Sequence, residues 1–320
     1  MRIRKILFKV IPAIFTFLFV GCFAQQKQNT VDDKEVERII RTLSSDEMQG
    51  RKILTPGIDK AATFIEAEFS KIGLKPLEGE KAFRINFTQP GRGLLFNVAG
   101  MIPGKSKPKE FVIFSAHYDH MGIVKPVNGD SIMNGADDNA SGVTAVIALA
   151  NHYKQLNNNE RTLIFVAFTA EEVGGFGSRN FSQSLNPDDA VAMFNIEMIG
   201  KESKFGKNAA FITGYERSDF GEILQRNLQG TDFKFYPDPY PQQNLFYRSD
   251  NATLAALGVP AHTISTDQID TDKLYHTVAD EFASLDVANI VATIKAIALS
   301  SKSIVAGTDT PSRIPKLKKN

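Results

Sequence analysis

The sequence predicts an α/β protein with a mixed, mainly parallel central sheet and helices on both faces. Three observations carry this expectation. Apolar runs of strand length alternate with stretches of helical periodicity between residues 83 and 299. The run 111–116 is apolar almost throughout, as strands covered on both faces are. Runs 111–116, 162–168 and 191–196 are each followed by histidine or carboxylates rather than ordinary turn residues. Open α/β sheets bind ligands beyond the carboxyl ends of their strands, so the fold and these residues point to one place.

The elements follow in order. Val36, Ile39, Ile40 and Leu43 recur at helical spacing behind acidic Asp32 and Asp33, which predicts a first helix. A second covers 58–72, with Ala61, Ala62, Phe64, Ile65 and Phe69 apolar, and stops at Gly73. Alternating Phe83, Ile85 and Phe87 predict a strand over 83–87, and another over 94–101 is closed by Pro103-Gly104. Strand 111–116 leads through a Gly-rich loop to a helix over 142–154. Then come strand 162–168, a short helix from Gly177-Ser178, strands 191–196 and 209–213, and helix 220–228. Pro237, Pro239 and Pro241 at alternate positions make 236–244 a loop. A helix at 252–257, a strand at 261–264 and a long helix at 288–299 complete the series.

With 42% apolar and 23% charged residues in 320, the composition is that of an ordinary globular chain. Arg2, Arg4, Lys5 and Lys9 precede an uncharged, Phe-rich stretch over 10–24. Its fifteen residues fall short of the roughly 20 a membrane span needs and suit an export signal. Removing residues 1–24 takes the net charge from +1 to about −3, and neither value provides the basic face that nucleic acid requires. Two endings of the signal stay open. Phe19-Val20-Gly21-Cys22 resembles a bacterial lipobox that would lipidate Cys22, with Phe19 where Leu is usual; simple cleavage after Ala24 is the alternative. The mature chain is thus expected to be exported by a bacterium, into the periplasm, onto the outer membrane as a lipoprotein, or into the medium. Cys22 is the single cysteine, so no disulfide closes within the mature fold. Residues 25–32 read as a polar tether, 33–304 as one domain, and 305–320 as a flexible tail.

Five polar motifs carry the chemistry: His117-Tyr118-Asp119, Asp137-Asp138, Glu171-Glu172, Glu197 and His276. Each alone has an ordinary explanation, such as a surface histidine, a solvated loop or an exposed strand end. Together they supply two histidines and three or more carboxylates, the donors that bind zinc. That set suffices for two metal ions roughly 3.5–4 Å apart, an arrangement that drives hydrolysis. Asp119 lies two residues from His117 and can hold that ring's second nitrogen. Paired Glu171 and Glu172 can divide metal binding from proton transfer. His120 reads as a bystander, His152 as a solvated helix residue and His262 as a hydrogen-bonded core residue. Phe235, Tyr236, Tyr240, Phe246 and Tyr247, around the Pro-rich loop, offer either an apolar wall for a substrate pocket or a packed surface loop.

In the order of these motifs the chain resembles the M28 family of zinc-dependent exopeptidases over roughly residues 36–297. The matching segments are His117-Tyr118-Asp119-His120, Gly135-Ala136-Asp137-Asp138-Asn139-Ala140-Ser141-Gly142, Glu171-Glu172, Asn195-Ile196-Glu197-Met198-Ile199-Gly200 and Tyr275-His276-Thr277. Residues 45–51 and Arg248-Ser249-Asp250 also look like the family. The resemblance implies the three-layer zinc-exopeptidase fold, of the phosphorylase/hydrolase-like kind, and two Zn2+ per chain. It assigns His117 and Glu197 to one zinc, Glu172 and His276 to the other, and Asp138 as the bridge. It makes Asp119 the orienter of His117, Glu171 the general base and Tyr275 a contact for the tetrahedral intermediate. It also implies a cis peptide between Asp138 and Asn139. Glu197 stands where the family usually has Asp, and Asn251 where many relatives have His. The implied activity is removal of N-terminal residues from peptides. Carboxypeptidase or dipeptidase action, glutaminyl cyclisation with one zinc and fewer ligands, and a non-catalytic binding module are the alternatives.

Overall fold

The computed structural model describes residues 30–317, so residues 1–24, expected as an export signal and including Cys22, residues 25–29 of the expected tether and residues 318–320 lie outside the described chain. In chain order the main elements are α1 (Asp33–Leu43), α2 (Pro56–Ile72), β1 (Arg84–Gln89), β2 (Gly93–Ile102), β3 (Lys107–His117), β4 (Gly122–Val127), β5 (Asp130–Met133), α3 (Gly142–Leu156) and β6 (Arg161–Phe168). There follow α4 (Phe176–Ser184), β7 (Ala190–Ile196), β8 (Ala209–Ile212), α5 (Phe220–Asn227), β9 (Lys234–Pro237), α6 (Asn251–Ala256), β10 (Ala261–Ser265), α7 (Val287–Ser300) and α8 (Lys302–Val305). The Asp32 carboxylate caps α1 by accepting from the Lys34 amide, and Gly73, at φ 78°, ends α2 in the left-handed conformation.

The large sheet has the order β1-β2-β6-β3-β7-β10-β8-β9. β3 runs parallel to β6 and β7, β7 to β10, and β8 to β9; β1–β2, β2–β6 and β10–β8 are antiparallel. This is the mixed, mainly parallel sheet the sequence predicts. Alternation along β3 divides the two cores. Val112, Phe114 and Ala116 join the larger one, under α1, α2, α3, α5 and α7, while Ile113 joins the smaller one with α4 and α6. Phe114 stacks on Phe165 and Phe194, with ring centroids 5.4 and 4.9 Å apart. Burial of such a side chain contributes about 1.5–3 kcal/mol. These rings fix the mutual heights of β6, β3 and β7, and so where their carboxyl ends stop.

Three local readings change. The Gly-rich loop after β3 contains the hairpin β4–β5, turned by Asn128 and Gly129 at φ 56° and 93°. Positive φ at both central residues is what a two-residue hairpin turn needs. Residues 234–237, partly inside the expected Pro-rich loop, pair with β8 as the edge strand β9; Pro237 is tolerated there because an edge has an unpaired side. The segment after 304, expected as a flexible tail, lies against the body. Buried Arg161 donates to the carbonyls of Ile304 and Asp309, Ile314 is 3% exposed, and the Leu317 amide bonds the Ala256 carbonyl.

Candidate metal centre

β6, β3, β7 and β10 lie side by side, and their carboxyl ends open on one cleft. His117 is the last residue of β3, Glu171 and Glu172 follow β6, and Glu197 follows β7. Asp138 comes from the turn before α3, and His276, at φ 55°, from the long connection between β10 and α7. Asp138, Glu171, Glu172, Glu197 and Tyr275 all line this cleft.

The distances are specific. His117 Nε2 lies 3.2 Å from Asp138 Oδ1, and His276 Nε2 lies 3.1 Å from Asp138 Oδ2. His276 Nε2 is also 3.1 Å from Glu172 Oε2. Glu197 Oε2 accepts from the Ser249 hydroxyl, and Asn195 Nδ2 stands 3.5 Å from the same oxygen. The Tyr275 ring stacks on His276 at 3.9 Å between centroids. One ligand-capable atom from each of His120, Asp138, Glu172 and His276 falls within 4.8 Å of the others. His117 Nε2, His120 Nε2 and His276 Nε2 are buried without a hydrogen-bond partner. The unpartnered nitrogens of His117 and His276, beside Asp138 and Glu172, form a donor set that fits a divalent ion.

Local sequence builds this geometry. Arg51 is fully buried and donates to the carbonyls of Leu43, Tyr118, Asn134, Gly135 and Asp138, tying the strand end at His117 to the turn that carries Asp138. Asp280 accepts the amides of Asp137 and Asp138 at 2.9 and 3.0 Å. Asn139 Oδ1 takes the amides of Gly142 and Met198, fastening the turn to the segment after β7. Gly142 has to be glycine, since a Cβ there would lie 2.2 Å from the Ile196 carbonyl oxygen. The Asp138–Asn139 peptide is cis, as expected. Within the acidic pair, Asp137 turns away to accept the Gly200 amide at 2.7 Å and faces Lys201 at 3.4 Å, while Asp138 faces the histidines.

Other expectations need amendment. The hydrogen bond at His117 Nδ1 goes to the main-chain carbonyl of Asp119 at 3.1 Å; the Asp119 carboxylate lies 3.9 Å off and instead accepts the Glu171 amide at 3.0 Å. His120 is no bystander, because its Nδ1 is 2.7 Å from Glu172 Oε1. His152, expected in solvent, is 2% exposed and meets the Thr30 hydroxyl at 3.0 Å, and burial pushes it down to about 4. His262 is the hydrogen-bonded core residue the sequence suggested, held by Thr213 and Ser218. The aromatic residues around the Pro-rich loop pack inward: Phe235, Tyr240 and Phe246 are each 4% exposed. Of residues 236–247, Leu245 reaches the cleft, and Met198, Phe211 and Ile269 supply the rest of its apolar wall. Ser249, Asn195 and Arg51 emerge as supporting groups whose partners are remote in the chain.

Crowded acids and imidazoles shift one another. Burial opposes the charge on Asp138, yet His117 and His276 outweigh it and hold the carboxyl well below its usual range. Asp138 and Glu172 push His276 up to about 10. Burial pushes Asp119 and Glu197 up to about 7 and Asp250 up to about 6. These shifts set the pH dependence of the metal-stripped protein. In the unfolded chain Asp119, Asp250 and Glu197 lose their protons near 3.8, 3.8 and 4.5, but in the folded chain only at 6 to 7. The folded state therefore holds more protons across that window, and stability falls as pH rises from about 4 to 7. His276 continues the trend: its stabilisation is complete below 6.5 and lost as pH rises through about 10. Asp138 has the opposite sense, its contribution lost as pH falls below 3.8. Thermal melts in chelator should thus show Tm highest near pH 4 and falling toward pH 9. Added zinc should restore most at the alkaline end, where it competes with fewer protons. A metal-free Tm that climbs from pH 5 to 8 would contradict this account.

An α/β sheet whose strand ends gather imidazoles and carboxylates around one cleft carries the donor set of a divalent-metal site. Residues 97–300 match Peptidase family M28, and the chain belongs to that family. It is 30% identical over 107 residues to Aminopeptidase YwaD of Bacillus subtilis (strain 168), an overlap of 31% of this chain and 21% of that protein. The chain therefore matches about a fifth of that relative's length. In fold it is similar to BSAP, a zinc aminopeptidase from Bacillus subtilis, with a TM-score of 0.70 at 14% identity over 90% of this chain and 98% of that one. It is also similar to Porphyromonas gingivalis glutaminyl cyclase, with a TM-score of 0.67 at 14% identity over 86% and 99%.

Proposed function

We propose that this chain is a co-catalytic di-zinc exopeptidase that removes N-terminal residues from peptides. The observation that carries the reading is the division of Asp138, whose two oxygens each face a different histidine at 3.2 and 3.1 Å. A carboxylate placed so can serve two ions at once. His117 and Glu197 would hold one zinc, Glu172 and His276 the other, with Asp138 between them. Because Ser249 occupies Oε2 of Glu197, Oε1 is left for the ion, which gives the longer side chain one working oxygen.

When bound, the zinc pair acidifies a water molecule and polarises the scissile carbonyl. Glu171 takes that water's proton and later delivers it to the leaving amine. Among the described residues the Glu171 carboxylate has no hydrogen-bond partner, and burial with Glu197, Asp250 and Asp119 nearby pushes it well above its usual range, which suits a proton carrier. Tyr275 lines the cleft with its ring stacked on His276, and its hydroxyl would donate to the developing oxyanion. Asp119 steadies both partners, through its carbonyl on His117 and its carboxylate on the Glu171 amide.

The lining supports a cationic peptide terminus. Asp138, Glu171, Glu172, Glu197 and Asp267 surround the cleft, and its one basic side chain, Arg248, is exposed. A free α-ammonium is attracted there, and a terminal carboxylate is repelled. Free and N-acetylated forms of one peptide test this directly: the free form is expected to be cleaved and the blocked form spared. Cleavage of the blocked peptide alone would exclude aminopeptidase action. Release of ammonia from an N-terminal glutamine, without peptide cleavage, would favour a cyclase. Export through residues 1–24 belongs to the same proposal, and the mass of the mature N-terminal peptide separates lipidated Cys22 from cleavage after Ala24.

A further inference from the structure

His120 lies three residues beyond His117, on the loop that leaves β3, and its side chain is fully buried. Its amide bonds the Arg51 carbonyl at 3.3 Å, and its ring meets His276 edge-on at 5.7 Å between centroids. Gly135 backs the ring so closely that a Cβ there would stand 2.5 Å from His120 Cδ2. The imidazole is confined to one place, with Nδ1 2.7 Å from Glu172 Oε1 and 3.7 Å from Asp138 Oδ2.

Distance separates two kinds of contact in this cluster. Donors about 2.0–2.1 Å from a tetrahedral zinc stand about 3.3 Å from each other. The His117–Asp138, His276–Asp138 and His276–Glu172 separations of 3.2, 3.1 and 3.1 Å are close to that spacing. The 2.7 Å between His120 and Glu172 is shorter and has the length of a charge-assisted hydrogen bond. A carboxylate only accepts, so Nδ1 of His120 carries the donated hydrogen. Glu172 is thereby divided: Oε1 is taken by His120, and Oε2 is left facing His276.

We propose that His120 is the positioning residue for Glu172, fixing its rotamer and committing it to one-oxygen ligation of the second zinc. This rests on the two-zinc reading above. Without His120, Glu172 is free to rotate into the cleft or to present both oxygens, and the second ion loses a prepared ligand. Partners that orient a metal ligand in this way typically contribute about 10–100-fold to metal affinity.

The test uses the zinc-loaded mature protein with His120→Ala and His120→Asn, following zinc affinity by competition with a chromogenic chelator. Asparagine keeps an N–H donor near the Nδ1 position and lacks the rest of the ring. His120→Ala is expected to weaken one of two zinc affinities about 10–100-fold and to leave the other within about threefold. His120→Asn should recover most of the loss, which a purely space-filling role would not produce. If the alanine variant fails to fold, the asparagine variant decides alone, near-parental affinity supporting the proposal and a weakened site overturning it. Two affinities unchanged in a cooperatively melting His120→Ala protein overturn the His120 role and leave the zinc pair standing. A parent protein that binds one zinc or none overturns both.

Discussion

Glu171→Gln is expected to lower kcat by about 10²–10⁴-fold, the range a general base supplies, while two zinc ions per chain remain bound. The different surroundings of Glu171 and Glu172 are the reason the effect is expected at Glu171. Both oxygens of Glu172 face imidazoles, Oε1 at 2.7 Å from His120 and Oε2 at 3.1 Å from His276. The Glu171 carboxylate has no such partner among the described residues and lines the cleft. Glutamine preserves its shape and removes its basicity, so KM should change little. Glu172→Gln should behave differently, losing turnover because it loses zinc. Protonation of Glu171 stops the reaction, so activity should decline as pH falls through the titration of this carboxylate. Metal analysis beside steady-state kinetics checks both claims. A Glu171→Gln enzyme with parental kcat, or one that has shed its zinc, removes Glu171 from the proposed role.

Much of this arrangement was legible in the sequence because parallel strands announce their carboxyl ends. An apolar run that stops at His117, at Glu171-Glu172 or at Glu197 fixes both where the strand ends and what it presents. What stayed hidden depends on pairs that only the fold brings together. His120 meets Glu172 across 52 residues, and Ser249 meets Glu197 across the same separation. Arg51 reads as one more loop arginine until Asn134 and Gly135, more than 80 residues on, offer it their carbonyls. His152 sits on a helix position that looks open to water, and Thr30, 122 residues earlier, covers it. The tail after 304 is held by Arg161, a strand residue nearly 150 positions earlier. The β4–β5 hairpin is a different case. Asn128-Gly129 is a strong local turn signal, and the glycine content around it masked the strands on either side.

Asp138→Asn tests the bridge itself. Its two oxygens are 3.2 and 3.1 Å from His117 and His276, so one carboxylate serves both halves of the cluster. Removing its charge should lower the content of both metals together, from two per chain toward none after dialysis at neutral pH. Asparagine retains the size of the side chain, and the hydrogen bonds that the Asp137 and Asp138 amides donate to Asp280, like the hold of Arg51 on the turn, engage main-chain atoms of the turn. The variant should therefore still melt cooperatively, which distinguishes loss of a ligand from loss of the fold. The histidines report separately: Asp138 raises both His117 and His276, so in the metal-stripped variant both imidazoles should titrate lower than in the parent, a shift that proton NMR follows. A protein that gives up one zinc and keeps the other would show that Asp138 serves a single ion. The two-metal site would then need another bridging ligand, and among the acids lining the cleft Glu172 and Glu197 are each placed toward one side of it.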